Sequence, residues 1–150
     1  MPPIFILFRK VVSKMSTRAL IGVKNTDGSI TCACNLSDGY EVILPLLNDF
    51  SSIDGVNFLL QLGMFNTIIT KYGYEEYIDW CQTKNIENQD KLFHKYGDSY
   101  VIQDIEYSNR KAETYKSIEE ALNLGTVDVI YIFDDNHWST YKDGKKVNEG

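Results

Sequence analysis

Histidine and arginine are scarce in this chain. Its 150 residues hold two histidines, His94 and His137, and three arginines, Arg9, Arg18 and Arg110. Two histidines far apart in sequence, neither inside an HxT or HxS pattern, give little footing for metal-free phosphodiester cleavage, which needs facing acid and base groups. The common catalytic and phosphate-binding signatures are missing too: there is no GxGxxG, GxxxxGK[ST], HExxH or GxSxG. The cysteines number three, Cys32, Cys34 and Cys81, with no CxxC pair and no matching histidine spacing. A zinc site and a disulfide framework are therefore not expected, and buried free thiols in a reducing compartment are. Long apolar runs are also lacking. The run Ile4 to Phe8 is too short to span a bilayer, and its basic residues follow it, the reverse of a secretory leader.

Net positive charge is the last deficit. The formal charge is -6, so a broad grip on long DNA or RNA, which rests on many phosphate contacts, is not expected. A small anion is a different case, because one or two arginines suffice to hold it. That makes Arg18 and Arg110 candidates. No cofactor, no resident metal and no membrane attachment are expected.

What is present is tyrosine, ten residues, with seven phenylalanines. Tyrosine suits half-buried sheets and interfaces alike. Length and composition fit one domain over 15–150, with 1–14 as a loosely attached tail or an extra edge segment. The patterning predicts an α+β fold: an antiparallel sheet built from N- and C-terminal hairpins, with helices packed on one face. Strands are expected at 17–23 and 29–35 around the turn Asn25-Thr26-Asp27-Gly28. Helices are expected at 40–50, awkwardly around Pro45, and from Ser51 or Ser52 to Gly63, then at 74–81 and 117–124. The stretch 98–106 reads as a strand that pairs through Ser108-Asn109-Arg110 with "KAETYK". "VDVIYIF" pairs with "HWSTYKDGK" through Asp134-Asp135-Asn136.

Arg18 follows two hydroxyls, Ser16 and Thr17. Guanidinium and hydroxyl together suit a phosphate or a carboxylate; equally, Arg18 pairs with a local acid such as Asp38. The turn Asp38-Gly39-Tyr40 returns either to Arg18 or to the far end of the sheet, depending on register. Near Arg18, Tyr40 would offer a stacking face and Asp38 an acceptor. His137 and Trp138 form a further candidate pair, able to stack a base and donate to a phosphate. Their alternative is a Trp138 that covers the sheet and a His137 in solvent. Asp134 and Asp135 read either as hard ligands for a divalent cation or as the tip of a hairpin.

The run "STRALIGVKNTDGSITCACNLSDGYE" resembles the N-terminus of a family of small bacteriophage proteins. These open with a Ser/Thr-Arg-x-x-Ile-Gly strand, an Asp-Gly turn, and a strand that closes near Asp-Gly-Tyr. The ending "VDVIYIFDDNHWSTYKDG" is similar to that family's terminal aromatic hairpin, while 55–98 is not covered. Asn35-Leu36-Ser37 stands where the pattern often has His-Trp. By analogy with small phage sponges that capture cyclic nucleotide immune signals (anti-CBASS proteins), the resemblance implies a non-enzymatic, homo-oligomeric protein of the host cytoplasm, a dimer or tetramer, that binds a cyclic dinucleotide without cleaving it. The ligand-binding candidates, read from the residues themselves, are Thr17, Arg18, Asp38, Tyr40, Arg110, His137 and Trp138. Two alternatives stand beside this reading: a nucleotide phosphodiesterase using His137, Asp134 and Asp135, and an inhibitor that docks on a host protein through its aromatic surface.

Overall fold

The computed structural model describes residues 17–85, 90–142 and 145–147. The expected tail, 1–14, and Ser16 lie outside the described residues.

The first hairpin forms as its turn chemistry directs. Strands β1 (Ala19–Lys24) and β2 (Ile30–Asn35) pair antiparallel from Ala19 opposite Asn35 to Lys24 opposite Ile30. Asp27 accepts both the N–H and the hydroxyl of Ser29 at 3.0 and 2.6 Å, and Gly28 takes φ +90°, a conformation open to glycine. Helix α1 (Ile43–Asp49) follows a run of turns that begins at Asp38. Pro45 is its third residue, inside the first turn, where its missing N–H would have had no intrahelical partner. Helix α2 (Ile53–Leu62) is capped by Ser52, whose Oγ accepts the Gly55 N–H, and it stops at Gly63, φ +73°.

Short strands β3 (Met64–Phe65) and β4 (Thr67–Thr70) then lead into α3 (Lys71–Thr83), longer than the 74–81 expected and capped by Thr70. Strands β5 (Lys91–Tyr96) and β6 (Ser99–Asp104) form a hairpin across Gly97. A 3-10 turn (Ile105–Tyr107) precedes β7 (Glu113–Tyr115) and α4 (Ile118–Leu122), which Ser117 caps through the Glu120 N–H. The chain closes with β8 (Val129–Asp134), β9 (His137–Lys142) and β10 (Lys145–Val147). Asp135 and Asn136 both have positive φ, +51° and +63°, as a two-residue type I′ loop requires.

The α+β architecture is as expected, and its strand pairing is mostly antiparallel. The main sheet runs β10-β9-β8-β1-β2-β3, with β7 also on β2; a second sheet runs β4-β6-β5. Three features differ from the sequence-based expectation. Strand β1 pairs parallel with β8, Ala19 beside Val129, which joins the two terminal hairpins into one sheet. Strand β7 does not return along β6. The 3-10 turn carries the chain away, and β7 pairs with β2, Cys32 opposite Glu113. The helices also divide. Helices α1 and α2 share a core with one face of the main sheet (Ile21, Val129, Tyr131, Trp138) and with Ile68 and Val101 of the second sheet. Helix α4 places Ala121 on the opposite face, with Leu20, Ile30, Cys32, Ile130 and Ile132. Helix α3 covers the second sheet, where Tyr74 stacks on Tyr100 at 3.9 Å between ring centroids. Among the described residues no helix is long and apolar enough to cross a membrane.

Candidate functional site

The register of the main sheet decides which sequence candidates meet. Ala19 lies opposite Asn35 and beside Val129, and Val129 lies opposite Lys142. Thr17, Arg18, the turn after Asn35, Asp128 and Lys142 therefore share one rim of the sheet. Asp38-Gly39-Tyr40 does return to the end that carries Arg18.

Two strands pin that turn. The Gly39 N–H donates to both the hydroxyl and the carbonyl of Thr17, at 2.8 and 3.1 Å. The buried Tyr131 donates its hydroxyl to the Gly39 carbonyl at 2.7 Å. A side chain at 39 would come within 3.0 Å of the Thr17 carbonyl oxygen, tight enough that the neighbour must give way. So Thr17 works as an anchor for the turn. The anchoring leaves Tyr40 half exposed, with the Lys142 Nζ 4.7 Å from its ring centroid. A cation held over an aromatic face at an exposed site is worth about 0.5–1 kcal/mol.

The backbone of Arg18 is held by Asp128. The Arg18 N–H donates to Asp128 Oδ2 at 2.9 Å, and the Arg18 carbonyl accepts the Asp128 N–H at 3.0 Å. The side chain is exposed, and among the described residues it makes no ion pair; the pairing with Asp38 is not formed. Successive strand residues point to opposite faces, so Arg18 lies on the face of Leu20, while Thr17 and Tyr40 lie on the side of α1. The electrostatics agree. Burial pushes the Cys34 thiol up, the charge of Arg18 pulls it part of the way back, and Glu113 pushes it up again. Cys34 and Glu113 belong to that second face.

Asp38 is the strained member of the rim, with φ +57°. Although the residue is exposed, partial burial of its carboxyl and then repulsion from Glu41 hold the pKa above the ordinary 3.8. A carboxyl whose folded pKa is raised costs stability once it ionises. The fold is unaffected by it below pH 3.8 and loses stability as pH rises through the folded value. Asp38→Asn removes the charge and keeps a residue that tolerates positive φ. Chemical denaturation should find the variant slightly more stable than the parent at pH 7 and no different at pH 3. A variant less stable at pH 7 would mean that the charge serves the turn.

Arg110 is exposed, on the outer edge beyond β2. Its carbonyl oxygen would lie 2.4 Å from any side chain at Gly63, and Gly63 accepts the Cys34 N–H. Its backbone thus stands beside the strand end that neighbours Arg18.

The remaining candidates lie elsewhere. Trp138 is buried, 3% exposed, donates its indole N–H to the Leu46 carbonyl at 3.1 Å, and packs on Phe133. It belongs to the core, which corrects the expectation that it stacks a ligand. His137 is exposed at the β8–β9 loop, its Nδ1 3.2 Å from the Asp135 carbonyl, and Asp134 lies opposite it. This tip is at the other end of six-residue strands, roughly 15–20 Å from the rim. His137 therefore does not join Arg18. Asp135 forms the loop itself, and Asp134 pairs across its base. His94 lies in the second sheet. Gln103 donates to the carbonyls of Leu62 and Met64 at 3.1 and 2.8 Å, using both amide hydrogens, so its Oε1 must accept from His94 Nε2 at 2.9 Å. Among the described residues no three His, Cys, Asp or Glu side chains converge to form a cage for a metal ion.

Two rim residues, Asp128 and Lys142, were absent from the sequence candidates. Each becomes visible only when β1 and β8 are aligned in parallel, a pairing with no local signal. No family model, curated protein or solved structure matches the chain.

Proposed function

We propose that the protein is a binding module that takes a small anionic ligand of nucleotide type at this rim and holds it without cleaving it, a cyclic dinucleotide being the specific candidate and capture of a phage-directed immune signal the role. The observation that carries the reading is the exposed guanidinium of Arg18, without an ion pair among the described residues, at the same sheet end as a half-exposed Tyr40 that already holds a cation on its face. An arginine fork suits phosphate oxygens and a tyrosine ring suits a base. The backbone of Arg110, beside the neighbouring strand end, puts a second arginine in this half of the sheet. The acidic balance of the whole chain disfavours longer nucleic acid at the same surface. The rim offers its groups on two faces, so one subunit walls the ligand on one side. A symmetric dimer or tetramer supplies the opposite wall. The phosphodiesterase alternative draws no support, since His137, Asp134 and Asp135 lie at the far end of the sheet.

Calorimetry with a panel of cyclic di- and trinucleotides tests the reading, and no heat at micromolar protein across the panel overturns it. With a bound member, Arg18→Ala should weaken affinity by roughly 1.5–3 kcal/mol, the range for a hydrogen bond to a charged group. Arg18→Lys should recover part of this, because it keeps the charge and loses the fork. An Arg18→Ala protein that melts lower yet binds like the parent would remove Arg18 from the site. The ligand should be recovered intact after long incubation with Mg²⁺ or Mn²⁺, and light scattering should report a dimer or tetramer.

A further inference from the structure

Strand β5 stands at the end of the second sheet, and among the described residues it pairs with β6 alone. Its neighbours reveal which of its backbone groups are used. The Ile105 N–H donates to the Asp90 carbonyl at 2.9 Å, one step beyond the pair Lys91–Asp104. Hydrogen-bonded and open pairs alternate along an antiparallel ladder. Leu92, His94 and Tyr96 therefore turn their N–H and C=O groups toward β6, while Lys91, Phe93 and Lys95 turn theirs to the outer edge. Strand β6 agrees: the Asp104 N–H, opposite Lys91, points away from β5 and donates to Asn66 Oδ1 at 2.7 Å. A six-residue edge strand in unbroken register is a template for one strand more.

We propose that this edge takes up an extended acidic peptide of a partner protein as an added strand. The three outward residues also share a side-chain face, the one under α3. Phe93 lies against Tyr74 and Tyr77, with ring centroids 5.4 and 5.8 Å away. Lys95 is exposed, its Nζ 5.9 Å from the Tyr100 centroid, and it meets no carboxylate among the described residues. Lys91 is half exposed and pairs with Asp104. An added strand sets one residue opposite each of the three, two positions apart, and opposite charges across strands attract. The sequence that fits is acid, any residue, apolar, any residue, acid. It reads the same in both directions, so it suits parallel or antiparallel addition. A second copy of the chain fits worse. Antiparallel pairing centred on Phe93, the middle outward residue, sets Lys91 of each strand opposite Lys95 of the other, and like charges so placed repel.

The probe is a fluorescent peptide, acetyl-Thr-Glu-Thr-Val-Thr-Glu-Thr-amide, titrated with the full-length chain. Its anisotropy should rise to saturation, and the complex should weaken as salt is raised to about 0.5 M. N-methylation at the valine, whose N–H faces β5, should weaken binding about tenfold or more, the loss of a backbone hydrogen bond. N-methylation at a neighbouring threonine, whose N–H faces outward, should leave it unchanged. A peptide with lysine for both glutamates should bind worse, and Lys95→Glu should reverse that preference. In amide exchange the Lys91, Phe93 and Lys95 N–H groups should exchange fast in the free chain and slow on saturation with the peptide. No rise in anisotropy up to about 1 mM protein, the scale of a very weak complex, overturns the proposal. So does equal sensitivity to both N-methylations. Outward amides already protected in the free chain also overturn it, since the edge would then be covered by this chain or by a second copy. None of these outcomes depends on ligand binding at the rim.

Discussion

Trp138→Ala should cost the protein about 3–5 kcal/mol, the usual range for removing a fully buried tryptophan. For a domain of this size that corresponds to a fall in melting temperature of roughly 6–20 °C. Two losses combine. The indole leaves a cavity between Phe133, 5.2 Å away by ring centroids, and the buried side of α1. The Leu46 carbonyl, which accepts the indole N–H, then has no donor. Trp138→Phe separates the two, since it fills most of the volume and donates nothing. It should cost about 1–3 kcal/mol, the penalty for an orphaned buried acceptor. Thermal melting of the three proteins checks both values. Ligand titration of the folded fraction checks the assignment of Trp138 to the core: affinity should be unchanged in Trp138→Phe. A variant with parental stability and weakened binding would return Trp138 to the site.

The misreading of Trp138 shows what kind of information the sequence carries here. Its partner, Leu46, lies 92 residues away. The alternation His137-Trp138-Ser139 fixes which residues share a face and leaves open which face is covered. Much of the local chemistry is legible. The Asn25–Gly28 turn, the Ser52 and Ser117 caps and the stop at Gly63 all rest on bonds that reach four residues or fewer. The pairings that failed are the non-local ones. Strands β1 and β8 meet in parallel across more than a hundred residues, and β7 prefers β2 to its sequence neighbour β6 because a 3-10 turn, not a hairpin turn, ends β6. Strand β5 escaped for another reason. In "KLFHKY" both faces carry apolar residues, Leu92 and Tyr96 on one and Phe93 on the other, since the second sheet is covered by α3 on one side and approaches α2 on the other. A strand half buried on both faces lacks the alternation that announces a strand.

The candidate site was legible to the same extent. Arg18 and Asp38-Gly39-Tyr40 can be nominated from residue type, and register alone decides that they share one end of the sheet, on opposite faces. Had β2 slipped by one residue, every side chain on it would have changed face. The turn at 38–40 would then have lost the Thr17 and Tyr131 bonds that hold it. Scarcity was the useful signal for Arg18. With three arginines in the chain, one at a strand mouth stands out, whereas aromatic residues are too common in sheets to discriminate. His137 and Trp138 were nominated on that weaker ground, and neither lies at the rim.

Gly22→Ala should be the most damaging single change in the chain. A Cβ at position 22 would sit 1.9 Å from the Thr31 carbonyl oxygen and 2.7 Å from the Cys32 Cα, where real Cβ atoms keep at least 3.0 Å. The obstacle is backbone on the neighbouring strand, so no side-chain rotation relieves it. Strands β1 and β2 would have to part by about 1 Å, and β1 also pairs with β8 on its other edge. The strain would spread into the centre of the main sheet. A loss beyond about 4–5 kcal/mol is expected, a size reserved for such steric or core failures, and it should appear as insoluble protein or as the absence of a cooperative melt. Gly28→Ala, in the same hairpin, is the control. It has φ +90° and nothing within 4 Å of the added carbon, so it meets conformational strain alone. It should cost about 1–2 kcal/mol and still fold. If both variants melt within a few degrees of the parent, the close approach of β1 to β2 at Gly22 is wrong. Arg18 stands four residues before Gly22, at the mouth of the same strand. The rim that presents its guanidinium therefore depends on a backbone contact that only glycine permits.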